Sequence, residues 1–75
     1  MTIERFLEVW RARPFRPFTI HTADGRSFPV LHPEFLARSP SGRTIAVEWG
    51  DDHMAILDLL LVSSIEFMPP AAASA

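Results

Sequence analysis

Three histidines and a few carboxylates are the residues of this chain that could do metal chemistry. The imidazoles are His21, His32 and His53, and the acids nearest to them are Asp24 and the pair Asp51-Asp52. Imidazole and carboxylate groups can hold a zinc ion where they converge on one point. No two of the histidines share a predicted strand or a helical turn, so their spacing does not bring them together. The sequence therefore predicts no metal site and no cofactor.

Nucleophilic catalysis is equally poorly supported by the residue types. The chain has no cysteine, and its serines fall in predicted turns or in the last predicted strand, outside any nucleophile-elbow pattern. Paired carboxylates occur only at Asp51-Asp52, in a turn, and no glycine-rich phosphate loop is present. We therefore expect a protein without catalytic activity.

The seven basic residues are all arginines, and all lie between Arg5 and Arg43. Residues 1–43 carry four acids and a net charge of +3, while residues 44–75 carry five acids, no Lys or Arg, and a net charge of −5. Arginine forks and aromatic rings can bind RNA by pairing with phosphates and stacking on bases. The residues that would form such a surface are Arg11, Arg13, Phe15, Arg16, His21 and Arg26. A net charge of −2 favours a solvated arginine face instead.

Length and composition predict one small domain with an apolar surplus. The 75 residues are 48% hydrophobic, with six Phe and two Trp. A domain of this size buries only about 60% of its unfolded surface, so self-association is a natural outlet for the excess. The first residues do not resemble a signal peptide and no run reaches transmembrane length, so we expect a cytoplasmic protein that does not enter membranes.

The N-terminal pattern predicts a helix over about residues 2–12. Thr2 is a suitable N-cap, and Ile3, Phe6, Leu7 and Trp10 form one apolar stripe. Pro14 ends the helix, and residues 14–18 form an extended connector with two prolines.

The first predicted hairpin has a register that can be argued from its loop. Strands over residues 18–22 and 26–31 are separated by Asp24-Gly25. A three-residue loop, Ala23 to Gly25, pairs Ile20 with Phe28 and places the large apolar groups on one face, whereas a two-residue loop does not. It also puts Gly25 where a left-handed residue is needed. Pro29 cannot donate to a ladder, so we expect its position to lie at a sheet edge or at a bulge.

The rest of the chain is predicted to contain one helical turn and three more strands. The turn covers residues 32–37, with Pro33 at its first position, and the strands cover residues 44–49, 53–57 and 62–67. Residues 52–62 could alternatively be a helix, because Met, Ala and Leu favour one. We prefer a strand that ends near Leu57, followed by a tight turn through residues 59–61 that Asp58 caps. Residues 1–68 would form the domain and residues 69–75 a disordered tail.

The fold class predicted is therefore α+β and mainly β: an N-terminal helix followed by a five-stranded, strongly twisted antiparallel sheet or small barrel. This order of elements resembles that of Sm-like and SH3-like barrels. The segments Pro14-Phe-Arg-Pro-Phe18, Asp24-Gly-Arg26, His32-Pro-Glu34 and Asp58 to Glu66 resemble a group of short bacterial proteins of unknown function. The resemblance covers about residues 3–67 and implies a small standalone domain.

We assign the apolar residues either to a buried core or to an exposed interface. We expect a core of Phe6, Leu7, Trp10, Phe18, Ile20, Phe28, Val30, Ile45, Val47, Ile56, Ile65 and Phe67. With Ile56 inward, Leu57 would point outward, and one tight turn cannot hide three consecutive leucines. The predicted interface is Leu31, Ala55, Leu57, Leu59 and Leu60. It would join copies into a homodimer or a small ring, or dock on another protein.

Overall fold

The computed structural model describes residues 1–69 as one helix, six short strands and two 3-10 turns. The elements in chain order are α1 (Ile3–Trp10), β1 (Phe18–Thr22), β2 (Ser27–Val30), η1 (Pro33–Phe35), β3 (Leu36–Arg38), β4 (Thr44–Trp49), β5 (His53–Asp58), η2 (Leu59–Leu61) and β6 (Val62–Phe67). Most of the predicted tail, residues 70–75, lies outside the described residues.

The N-terminal helix forms where the apolar stripe predicts it, two residues shorter at its C-terminal end. The Thr2 side chain accepts a hydrogen bond from the Arg5 N–H, which confirms the predicted N-cap. The helix delivers Phe6 into the core, where its ring meets the Phe18 ring edge-on at 6.3 Å. Trp10 stays at the rim of the core and donates its indole N–H to the Pro33 carbonyl, 2.9 Å away.

One sheet has the strand order β2-β1-β6 and confirms the predicted hairpin register. Ile20 lies opposite Phe28 and Phe18 opposite Val30. Gly25 has a φ of 88°, the left-handed conformation that the three-residue loop requires. Strand β2 is an edge of this sheet, which is one of the two settings predicted for Pro29.

The second sheet has the order β3-β4-β5, so the predicted five-stranded sheet or barrel is wrong. Residues 1–69 form two three-stranded antiparallel sheets that do not close into a barrel. Of the helical turn predicted over residues 32–37, only η1 (Pro33–Phe35) forms. The residues after it form strand β3, which was not predicted. Leu36 is buried there opposite Val47 of β4, a partner that is distant in sequence and that the pattern after Pro33 does not indicate.

The core lies between the two sheets under α1 and confirms seven of the predicted residues as buried: Phe6, Phe18, Ile20, Phe28, Val30, Ile45 and Val47. Leu7, Trp10 and Ile65 are half-buried. The placement of Ile56 and Phe67 in the core is wrong, because both are exposed. Leu36, Leu57, Leu59 and Val62 are buried instead.

The error at Ile56 is an inversion of the two faces of β5. The register pairs Ile45 with Leu57 and Ala46 with Ile56. Ile45 faces the core, so Leu57 faces it too and is 1% exposed, while Ile56 lies on the outer face. The prediction that Leu57 points outward is therefore wrong.

Candidate interaction surface on strand β5

The three histidines lie apart and each has a separate neighbour. The His21 Nε2 atom is 2.9 Å from Glu66 Oε1, the His53 ring stacks on Trp49, and the His32 ring meets Phe35 edge-on. Across residues 1–69, no three His, Cys, Asp or Glu side chains come close enough together to hold a metal ion.

Several of the residues predicted to bind RNA already contact carboxylates or aromatic rings within the chain. The Arg26 Nε–H donates to Asp24 Oδ2 at 2.9 Å, and His21 pairs with Glu66. The Arg16 guanidinium lies 4.1 Å from the centre of the Phe67 ring. These contacts leave part of the predicted set engaged within the chain.

The other residues predicted to bind RNA are one half-buried aromatic residue and two exposed arginines. The Phe15 ring is half-buried against Phe18, at 5.7 Å between ring centres. Arg11 and Arg13 are exposed at the end of α1 and in the connector that follows it. The structure therefore supplies exposed cations beside the helix, but the aromatic member packs largely on the core.

Strand β5 has one neighbour, β4, among the described residues, so its other side is a free edge. The Leu59 N–H donates to the Arg43 carbonyl at 2.8 Å, and antiparallel strands alternate bonded with non-bonded pairs. The bonded pairs of the ladder are therefore Ile45 with Leu57 and, two residues on, Val47 with Ala55. The N–H and C=O groups of the alternate residues of β5, which lie between and beside these bonded positions, point away from β4.

Those outward-pointing backbone groups belong to Met54, Ile56 and Asp58. The side chains of the same three residues are exposed, with Met54 at 58% and Ile56 at 67% of full exposure. Strand β5 therefore offers backbone donors and acceptors at its edge and two apolar side chains on the adjoining face. Both are properties that a strand from another chain can use.

The outer face of this sheet has an apolar row that ends at the free edge. Ala37 lies opposite Ala46, and Ala46 lies opposite Ile56. Glu48 and Thr44 are the β4 neighbours of Met54 and Asp58 on the same face. Small side chains beside Ile56 leave it projecting, with polar groups to either side.

The turn η2 adds one more apolar side chain next to β5. The Asp58 carboxylate accepts the Leu60 N–H at 2.9 Å, so the predicted cap is confirmed. Leu59 packs into the core, whereas Leu60 is 83% exposed. The predicted inability of this turn to hide all three leucines is therefore confirmed.

A cavity of about 390 Å³ adjoins η2 on the side of the helix. It lies between α1, the β3–β4 turn and η2, and Ile3, Gly42, Leu59 and Leu60 are among its walls. Gly42 is required there, since a Cβ at that position would lie 2.9 Å from the Ile3 Cγ1 atom. Leu60 therefore borders both this cavity and the residues of β5.

The predicted interface residues separate into two groups. Leu31 and Leu60 are exposed and Ala55 is half-buried, so they are available at a surface. Leu57 and Leu59 are buried and form part of the core, so their assignment to an interface is wrong.

Sequence reasoning missed Met54 and Ile56, although a signal for them exists. Residues 50–52 form a three-residue loop, because Trp49 lies opposite His53. The loop rule that gives the first hairpin its register also gives this one. With Ile45 and Val47 inward, it places Leu57 inward and Ile56 outward.

No protein-family model, curated protein or solved structure matches this chain. The resemblance to short bacterial proteins of unknown function therefore stays a prediction. In residues 1–69 the only α-helix, α1, has eight residues, too few to cross a membrane.

Proposed function

We propose that this chain is a small non-catalytic interaction module that self-associates through the free edge of β5. The observation that carries the proposal is the coincidence of outward backbone groups with the exposed side chains of Met54 and Ile56. An unpaired edge with apolar side chains is a template for strand addition. The cytoplasm is the setting we propose, in line with the absence of cysteine.

A second copy is the occupant that the edge favours. The N–H and C=O groups alternate along β5 in the same way on both copies, so two such edges satisfy each other about a two-fold axis. The apolar side chains would then meet their own counterparts. A small ring is the other closed arrangement, with β5 of one copy beside β6 of the next, because β6 is also an edge strand.

The expected affinity follows from what the contact would bury. Complete burial of an exposed Ile or Met contributes roughly 1.5 to 3 kcal/mol, and a two-fold contact uses each side chain twice. Association itself costs on the order of 4 to 15 kcal/mol in lost freedom. The gain and the cost are of similar size, so we expect a weak complex that forms only at high protein concentration.

Sedimentation equilibrium over a range of protein concentrations tests the proposal. We expect the wild type to form dimers, or a small ring, at high micromolar concentration. Leu60→Glu and Ile56→Glu should shift the protein to monomer while its circular dichroism is unchanged, because both side chains are exposed. Glu4→Gln, on the exposed face of α1, is the matched control and should leave the mass distribution unchanged.

Two outcomes would contradict the proposal. One is a wild type that remains monomeric at high micromolar concentration, in which case a different protein or RNA would be the partner to test. The other is an oligomer whose mass is the same in Ile56→Glu and Leu60→Glu, since its contact would then lie elsewhere.

A further inference from the structure

We infer that two copies join by antiparallel pairing of β5 with β5, with Ile56 on the two-fold axis. The inference rests on the self-association proposed above and specifies its partner strand and register. It predicts one continuous six-stranded sheet in the order β3-β4-β5-β5-β4-β3.

Strand pairing restricts the possible registers to those that match outward backbone groups with outward backbone groups. On β5 these belong to Met54, Ile56 and Asp58. Each such residue must therefore lie opposite another of the same parity on the second copy. A register shifted by one residue would place outward groups against inward ones and form no ladder.

Charge decides among the registers that remain. With the axis at Ile56, Ile56 meets its counterpart and Asp58 lies opposite Met54 of the second copy. With the axis at Ala55, Asp58 would instead lie opposite Asp52, next to Asp51. Like charges directly opposite each other destabilise a sheet, and that arrangement would occur twice in the dimer.

Two further registers, with the axis at Asp58 or at Leu57, also fail. With the axis at Asp58, the two Asp58 carboxylates would oppose each other. With the axis at Leu57, Met54 would have to pair with Leu60, which belongs to the 3-10 turn η2 and not to a strand. The axis at Ile56 keeps residues 54–58 of both strands paired and places no carboxylate opposite another.

Cysteine cross-linking tests the register, and the chain is suited to it because it contains no cysteine of its own. In the inferred dimer the two Ile56 Cα atoms form a bonded pair about 5.5 Å apart, within the range of a disulfide. The two Met54 positions are four residues apart along the pair, roughly 13 Å. Met54 and Ile56 lie on the same face with similar exposure, so random collisions should link them equally.

Ile56→Cys, Ala55→Cys and Met54→Cys are each oxidised under mild conditions at a concentration where sedimentation shows dimers. We expect Ile56→Cys to form a covalent dimer at least ten times faster than Met54→Cys, and Ala55→Cys to remain slow. Circular dichroism of each variant verifies that it is folded.

Three results would overturn the inference. Faster linkage of Ala55→Cys than of Ile56→Cys would place the axis at Ala55. Equal linkage of Ile56→Cys and Met54→Cys would show collision without a fixed register. Absence of linkage in all three variants, in a protein that sedimentation shows to be oligomeric, would reject pairing of β5 with β5 and leave the proposed self-association standing.

Discussion

Strands β2 and β5 are both sheet edges, yet only β2 has its backbone blocked. The Thr22 N–H donates to the Arg26 carbonyl, so the alternation along β1 and β2 makes Thr19 and Pro29 a non-bonded pair. The nitrogen of Pro29 therefore points at the free edge, where it has no hydrogen to donate. The equivalent outward positions of β5 hold Met54 and Ile56, which keep their donors.

The edge of β5 is therefore where the molecule can add a strand. Natural proteins protect edges with proline, with short strands or with bulges. Strand β3 has three residues, β2 has Pro29, and β6 has an irregular register beside Thr22. Strand β5 has six residues and a regular register over its whole length, so it is the edge with the least protection among the described strands.

Truncation of one side chain on each face of β5 should affect stability very differently. Leu57→Ala should lower the free energy of unfolding by about 2 to 5 kcal/mol, because Leu57 is buried in the core. Ile56→Ala should change it by less than about 0.5 kcal/mol when the protein is dilute and monomeric. Urea denaturation of both variants measures this. Equal losses would mean that the two faces of β5 are wrongly assigned.

Transfer of the β2 protection to β5 should reduce self-association. Ile56→Pro removes an outward N–H that takes no part in the pairing with β4, so we expect at least about a tenfold weaker association, or 1.4 kcal/mol, in a protein that remains folded. Pro29→Thr is the reciprocal change and should leave the association through β5 intact. Sedimentation of the two variants beside the wild type provides the measurement. If the Ile56→Pro variant dimerises as tightly as the wild type, the β5 backbone takes no part in the dimer contact.

The loop that aligns β2 should be sensitive to a side chain at one position. Gly25 has a φ of 88°, and no atom would obstruct a Cβ there, so Gly25→Ala tests conformation without a steric clash. We expect a loss of about 1 kcal/mol or more in the free energy of unfolding. Gly50→Ala, in the loop before β5 at a φ of 61°, should lose a similar amount. Denaturation midpoints unchanged in both would contradict the role of these loops.

The smallest effect concerns the charge at the same β1–β2 loop. The Thr22 hydroxyl, and after it the Arg26 guanidinium, lower the pKa of Asp24 below its ordinary value of 3.8, against an opposing effect of desolvation. A lowered folded-state pKa gives stability that is fully present above the unfolded pKa and is lost as pH falls through the folded value. Stability should therefore decrease below about pH 4, and less steeply in Asp24→Asn. Identical acid profiles for the two proteins would contradict this.

Local patterns predicted the parts of the fold that depend on a few neighbouring residues. The cap at Thr2, the register set by Gly25 and the turn capped by Asp58 each depend on residues within a few positions of one another. Strand β3 was missed because its helical appearance after Pro33 is local, whereas the burial of Leu36 against Val47 depends on a distant strand.

The sequence predicted an exposed apolar surface near η2 and β5, but of the residues that form it only Leu60 was identified, and Met54 and Ile56 were missed. An exposed leucine in η2 follows from the geometry of a turn, and Leu60 is that residue. The error over Leu57 and Ile56 has a different origin, since both parities of β5 are apolar and hydrophobicity alone cannot tell its faces apart. Only the loop length, combined with the inward position of Ile45, distinguishes them.

Amide hydrogen exchange at increasing protein concentration tests the use of the β5 edge most directly. We expect the outward amides of Met54 and Ile56 to exchange rapidly in dilute protein and to become protected as dimers form. The amides of Ala55 and Leu57, which point at β4, should be protected at every concentration. If exchange at Met54 and Ile56 does not change with concentration in a sample that sedimentation shows to be dimeric, the dimer does not form through the β5 edge.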